Sequence, residues 1–147
     1  APAARGVSVG AVVVDTGVVL AAADADDAWH GPASAVVQQR PADQLVLPVP
    51  VAVEAAWLIG SRLGPATEAA FVASVGAGDF TLVELTGADW TRCAVLIERY
   101  ADLDLGLVDA AVVAVAERLG ITTLASIDRR DLLVVRPAHC DAFELIP

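Results

Sequence analysis

Cysteine is nearly absent from this chain. Its two examples, Cys93 and Cys140, show no CxxC or zinc-ligand spacing, which leaves no disulfide framework or zinc site to read from the sequence. A reduced, cytoplasmic protein is the expectation. Lysine is missing altogether, and all nine basic residues are arginine. Against 19 acids they leave a net charge of −10. That balance excludes a broad basic surface for gripping nucleic acid, because phosphate binding is mostly electrostatic. It fits a cation-binding acidic site, a basic protein partner or simple solubility. No unbroken apolar run approaches the roughly 18 residues of a membrane span. Walker loop, GxSxG elbow, Cys/His pair and HExxH are absent, so the common nucleophilic and zinc chemistries lack their residues.

What is present is apolar: 56% of the 147 residues are hydrophobic, with alanine and valine supplying the excess. One domain over residues 1–147, with a single core, is the expected organisation. Arg5 followed by "GVSVGAVVV" superficially resembles an export signal, but Asp15 interrupts it, so a buried strand is the better reading. The missing initiator Met reads as trimming rather than as export processing.

The pattern predicts a strand over Val9–Val14, a short helix from Val18 to Ala23, and a helix from the acids of "DADDAWHGPASAVVQQR" through Arg40. A strand in "QLVLPVP" precedes a helix over Val49–Leu63 that stops at Gly64-Pro65. Ala66–Val75 reads as a helix and "DFTLVELT" as a strand. Thr86 then caps a helix running through Ala101, with Trp90, Cys93, Ala94, Ile97 and Tyr100 as its apolar face. "LGLVDAAVVAVAERLG" is a deeply buried helix, and "ITTLASID" and "LLVVR" are strands. Strands alternating with helices imply an α/β fold with a mainly parallel sheet covered on both faces. In such sheets, sites form beyond the carboxyl ends of the strands.

Most acids sit in polar or turn-forming stretches and read as solvated surface, among them Asp24, Asp26, Asp27, Asp79, Glu84, Asp89, Asp102 and Asp104. Four stand in apolar surroundings instead. Asp15 follows "GAVVV", Glu54 lies in "VPVAVEAAWLIG", Asp109 in "LGLVDAAVVAVA", and Asp128 ends "TTLASI". A buried, unpaired carboxylate costs several kcal/mol, so such groups are normally paired or metal-bound. Only Asp128 has an adjacent arginine. Glu54 shares a helical stripe with Val51, Ala55 and Leu58 that should face inward. Singly, Asp15 is explained as a turn former and Asp109 as a helix-start acid favoured by the dipole. Together, the four are better explained by one shared site. Oxygen donors without His or Cys favour Mg²⁺ or Mn²⁺.

With these four placed, the sequence resembles the PIN-domain ribonucleases, and most closely the VapC-like toxins of bacterial toxin–antitoxin pairs. The matching segments are "VVVDTGVVLAA", "VPVAVEAAWLIGSRLGP", "RYADLDLGLVDAAVVAVAERLG" and "ITTLASIDRRDLLVVRP". The resemblance covers nearly the whole chain in order. It implies a three-layer α/β/α sandwich with about five strands, Mg²⁺-dependent hydrolysis of RNA phosphodiesters by an activated water, a homodimer, and a small antitoxin covering the acidic pocket. By motif position it implies Asp15 and Asp109 as the main metal ligands, Asp128 at a second, weaker metal, and Glu54 orienting the attacking water. Thr16 and Ser126 match hydroxyl positions often found beside these acids, although turn and strand-end hydrogen bonding explains them as well. Asp104 departs from the pattern, where relatives often carry Pro; capping the next helix is one reading of it. Arg129 and Arg130 fit RNA phosphate, a solvated pair or an ion pair with Asp131, and His30 reads as a surface residue.

Two rivals remain. "DTG" also occurs in aspartic proteases, but the Ala-rich stretch after Gly17 reads as helix, not as the β-structure that chemistry needs. An aspartyl-nucleophile phosphatase would want an acid where Gly17 stands. The non-enzyme alternative is a catalytically silent PIN-like module that binds a protein partner.

Overall fold

Valine drives the centre of the sheet, its branched side chains suiting a pleated surface buried on both faces. In a computed structural model describing residues 7–147, Val12–Val14 forms the fully buried central strand β1. The strand starts later than the Val9 expected, because Gly10 turns the chain at φ 86° and leaves Val9 exposed. Arg5, at the head of the signal-like stretch, lies outside the described residues. Beside β1 run β2 (Leu45–Pro48) and β4 (Thr123–Ala125), with β3 (Thr81–Val83) and β5 (Glu144–Ile146) at the edges. The order is β3-β2-β1-β4-β5 and every pairing is parallel.

Parallel neighbours need crossovers, and helices supply them on both faces of the sheet, giving the α/β/α sandwich expected from the sequence. The helices are α1 (Thr16–Ala23), α2 (His30–Gln38), α3 (Val49–Leu63), α4 (Pro65–Gly76), α5 (Gly87–Arg99), α6 (Leu107–Leu119) and α7 (Arg130–Val134). Helix α3 matches the expectation residue for residue, with Pro50 in its first turn. Helix α6 is buried from Ala110 through Ala116. Its alanines allow close approach to α5, α3 and the sheet.

Four expectations are corrected. "LLVVR" is not a strand: Leu132 and Val135 are buried while Leu133 and Val134 face outward, the three-residue spacing of α7. A short apolar run carries both periods, and here the helical one wins. The fifth strand is instead Glu144–Ile146. The second helix starts at His30, after turns in which Asp24 and Asp27 accept from the N–H groups of Asp26 and Trp29. Helix α5 buries Asp89, Cys93 and Leu96 and leaves Trp90 and Ala94 exposed. Asp104 does not cap α6. It takes a left-handed turn at φ 53°, and Gly106 occupies the cap position.

Asp89, read as a solvated turn acid, is only 4% exposed. It reaches back to the Thr86 N–H at 3.0 Å while Thr86 Oγ1 accepts from its own N–H at 3.1 Å, a complete capping box. Arg118 Nε of α6 donates to it at 2.9 Å. Asp89→Ala should therefore destabilise the protein by about 2–3 kcal/mol in urea unfolding, from a lost cap of about 1 kcal/mol and a stranded guanidinium. The exposed Asp79→Ala should stay within about 0.5 kcal/mol of the parent.

Candidate active site

Strands β1 and β4 are parallel neighbours, so their carboxyl ends rise side by side and deliver Asp15 and Ser126 to the same place. The backbone continues the ladder there, with the Asp15 N–H donating to the Ala125 carbonyl at 2.9 Å. Asp15 is the N-cap of α1 rather than a free turn residue, its Oδ1 accepting from the Thr16 N–H at 2.8 Å. The Ser126 hydroxyl stands 3.1 Å from Asp15 Oδ2 and 3.1 Å from the Asp128 carbonyl, tying the two strand ends together.

The four acids singled out in the sequence are not equally buried. Asp15 is 8% exposed, whereas Glu54 and Asp109 are half-buried. Asp128 is exposed, against the expectation of apolar surroundings, because it lies three residues past the end of β4, at the rim. Glu54 borders the inward stripe of α3, where Val51, Ala55 and Ile59 are buried and Leu58 is half-buried. Asp109 sits in the first turn of α6.

Their charges nevertheless share one field. Burial first, and then the charges of Glu54 and Asp128, raise the Asp15 carboxyl above its ordinary value, although the Thr16 and Ser126 hydrogen bonds oppose this. Burial and then the charges of Asp15, Asp131 and Glu54 push Asp109 from 3.8 to about 6, with the Gly106 N–H pulling the other way. Asp131 was missed as a member of this group. It stands one helical turn after Asp128, a spacing that could have flagged it, but its neighbour Arg130 suggested an ion pair. That contact is 3.9 Å long and largely exposed on the arginine side.

No ion pair among the described residues neutralises Asp15, Glu54, Asp109 or Asp128. Among the described residues, the ion pairs are Arg92–Glu117, Arg118–Asp89 and Arg130–Asp131, and the four acids enter none of them. Arg129, beside Asp128, makes no ion pair among these and leaves its buried Nε without a partner. Thr16 Oγ1, next to Asp15, is likewise buried and unpartnered. A set of coupled hard oxygen donors with no ion-paired guanidinium has the chemistry for a divalent ion. Among the described residues, no three such side chains stand together as a finished coordination shell. The acids that would hold an ion are coupled but spread around an open cup.

One hollow of the molecule lies away from these acids. A cavity of about 330 Å³ is walled by Val19, Val37, Phe71 and Phe80, with Asp79 its sole carboxylate. His30 is structural, its Nδ1 standing 2.9 Å from the Ala21 carbonyl. His139 and Cys140 are adjacent, yet the imidazole Nε2 lies 2.7 Å from the Ile121 carbonyl and burial raises the thiol, so no activated nucleophile forms there.

The family profile for the PIN domain matches residues 12–135. The chain belongs to the PIN-domain family. It is 30% identical over 136 residues to Ribonuclease VapC26 of Mycobacterium tuberculosis, covering 92% of this chain and 100% of that one. A crystal structure of Mycobacterium tuberculosis VapC20, described as a sarcin–ricin loop-cleaving toxin, superposes with a TM-score of 0.75 at 23% identity, over 82% of this chain and 92% of that chain. The VapC-like resemblance read from the sequence thus holds. Within this PIN domain, no described helix is long and apolar enough to cross a membrane.

The raised carboxyls have a sign that can be measured. Between 3.8 and about 6 the folded protein holds the Asp109 proton more tightly than the unfolded chain does. Metal-free stability should therefore fall as the pH rises through that window and remain low above it. Asp109→Asn should flatten the descent and raise the melting temperature at pH 7 by a few degrees, as read by thermal unfolding in chelator across the pH range.

Proposed function

We propose that this PIN domain is an Mg²⁺-dependent endoribonuclease and the toxin of a toxin–antitoxin pair. The observation that carries the reading is the cluster of coupled acids without a cation at the carboxyl ends of β1 and β4. It occurs in a chain 30% identical to a ribonuclease along that protein's whole length. Asp15 and Asp109 are the residues to hold the principal ion, Asp128 lies at the rim for a second, weaker one, and Glu54 completes the cup from α3. Bound Mg²⁺, or Mn²⁺ in its place, would supply Lewis-acid stabilisation of the phosphodiester and favour ionisation of water.

The chain's own residues set the geometry of the reaction. Ser126 and the Thr16 N–H fix both oxygens of Asp15, so its carboxylate is oriented before substrate arrives. Glu54, half-buried and not ion-paired, orients the attacking water. The water oxygen bonds to phosphorus in line, the P–O3′ bond breaks, and the departing oxygen takes a proton. The products carry a 5′-phosphate and a 3′-hydroxyl. An open cup, rather than an enclosed cavity, suits a polymer that must pass through the site. A small antitoxin covering the cup would silence it, and a homodimer is the expected assembly.

Asp15→Asn is the sharpest test, because Asn also caps helices well and keeps the Thr16 contact while removing the charge. Cleavage of total cellular RNA should drop by about a thousandfold or more, with melting temperature maintained. Asp109→Asn should lose cleavage to the same extent, with its melting temperature raised as above, and chelation should silence the parent. Mapping new 5′ ends after expression without the partner should show discrete cuts. Wild-type cleavage rates in either variant would refute the assignment, and a parent that never cuts would favour a silent binding module.

A further inference from the structure

Phosphodiester chains approach a protein of charge −10 against repulsion, so some cation at the site must offset it. Four guanidinium groups elsewhere are committed to structure, while Arg62 and Arg136 stand exposed. Arg92 holds Glu117, Arg118 holds Asp89, Arg99 lies over the Tyr100 ring, and Arg40 donates to the Val36 carbonyl at 3.3 Å. Arg129 is different. It is half-buried, its Nε is buried with no hydrogen-bond partner, and it forms no ion pair among the described residues. This holds although Asp128 precedes it and Asp131 lies two residues on.

The backbone of Arg129 is fixed on both sides. The Asp128 carbonyl lies 3.1 Å from the Ser126 hydroxyl that also meets Asp15, and the Arg129 carbonyl accepts from the Leu133 N–H at 3.0 Å, opening α7. The backbone of the residue is thus anchored beside Asp15 and Asp128, and its guanidinium enters no ion pair among the described residues. Arginine cannot shed its proton to escape that situation. A partly desolvated guanidinium with no counter-ion is unfavourable unless an anion completes it, and its planar fork matches two phosphate oxygens.

We propose that Arg129 is a bidentate clamp for a backbone phosphate of the RNA substrate, seating the strand against the acidic cup. The proposal rests on the nuclease reading above and adds a substrate-positioning residue to it. Arg130, with its side chain 88% exposed and leaning towards Asp131, belongs to the solvated surface.

The test measures binding of a labelled, mixed-sequence single-stranded RNA in Ca²⁺, over a series of salt concentrations, by fluorescence anisotropy. Arg129→Gln should weaken binding roughly tenfold. It should also make the slope of log affinity against log salt shallower by about 0.7 to 1, one phosphate contact's worth. Thermal melting should match the parent, and Arg130→Gln should bind like the parent. Arg129→Lys keeps the charge but not the fork, so it should retain the slope and lose affinity severalfold; should Arg129→Gln fail to fold, this variant decides. Parental affinity and slope in a folded Arg129→Gln, equal losses in Arg130→Gln, or parental affinity in Arg129→Lys would overturn the clamp while the parent still binds and cuts RNA. A parent that neither binds RNA in Ca²⁺ nor cuts it in Mg²⁺ overturns the nuclease reading itself.

Discussion

The hydroxyl of Ser126, set between Asp15 Oδ2 and the Asp128 carbonyl, holds the site together. It exists because β1 and β4 are parallel and adjacent, so that two segments 111 residues apart in sequence end at the same level. A parallel sheet has this property generally: strand ends gather on one edge, and side chains just past them converge without long loops. Here the convergence brings negative charge together. Two neutral hydrogen-bond donors orient Asp15, and they do not cancel the desolvation that raises its carboxyl. The fold tolerates an arrangement that folding alone would not select, the usual mark of a site kept for chemistry.

The rest of the charge distribution sharpens that contrast. Where acids serve the fold, they are met. Asp89 has its cap and Arg118, and Glu117 takes both Arg92 contacts and the Ala138 N–H. The Glu117 carboxyl is accordingly held below its ordinary value by Arg92 and Ala138 against burial, the opposite of Asp109. Two half-buried carboxylates on the same helix α6, eight residues apart, thus carry opposite shifts. The difference is the presence of a guanidinium. Structural and functional acids are told apart by their partners more than by their depth.

This explains what could and could not be read from the sequence. Helices α3 and α6 were legible because their apolar stripes are long and their ends carry Pro or Gly. Asp15, Glu54 and Asp109 stood out because nothing near them in sequence would neutralise them, and Asp128 because it closes an apolar stretch. Asp89 was opaque for the converse reason: its partner Arg118 is 29 residues away, so a solvated reading looked adequate. Asp128 was over-read as buried, since an apolar strand before it says nothing about the loop after it. Helix α7 and strand β5 were lost together. Five residues of "LLVVR" satisfy either period, and β5 is three residues long, too short for alternation to register. Its pairing with β4 decides its state, a non-local contact that propensity cannot carry.

An acidic nuclease faces a polyanion, and the layout of this PIN domain indicates how the two meet. Among the described residues the carboxylates are spread rather than gathered into a finished shell. The deep part of the cup is held by the sheet, through Asp15 and Ser126, which are nearly inaccessible. The rim is carried by the short helix α7 and the segment before it, with Asp128 ahead of the helix, Arg129 at its N-cap and Asp131 in its first turn. A buried floor and a charged, more exposed rim divide the labour physically. Ions must be placed to within fractions of an ångström, whereas a strand of varied sequence is accommodated by contacts at its backbone. Discrimination among RNAs would then arise from how a strand threads the rim, not from the acids, whose arrangement is indifferent to base identity.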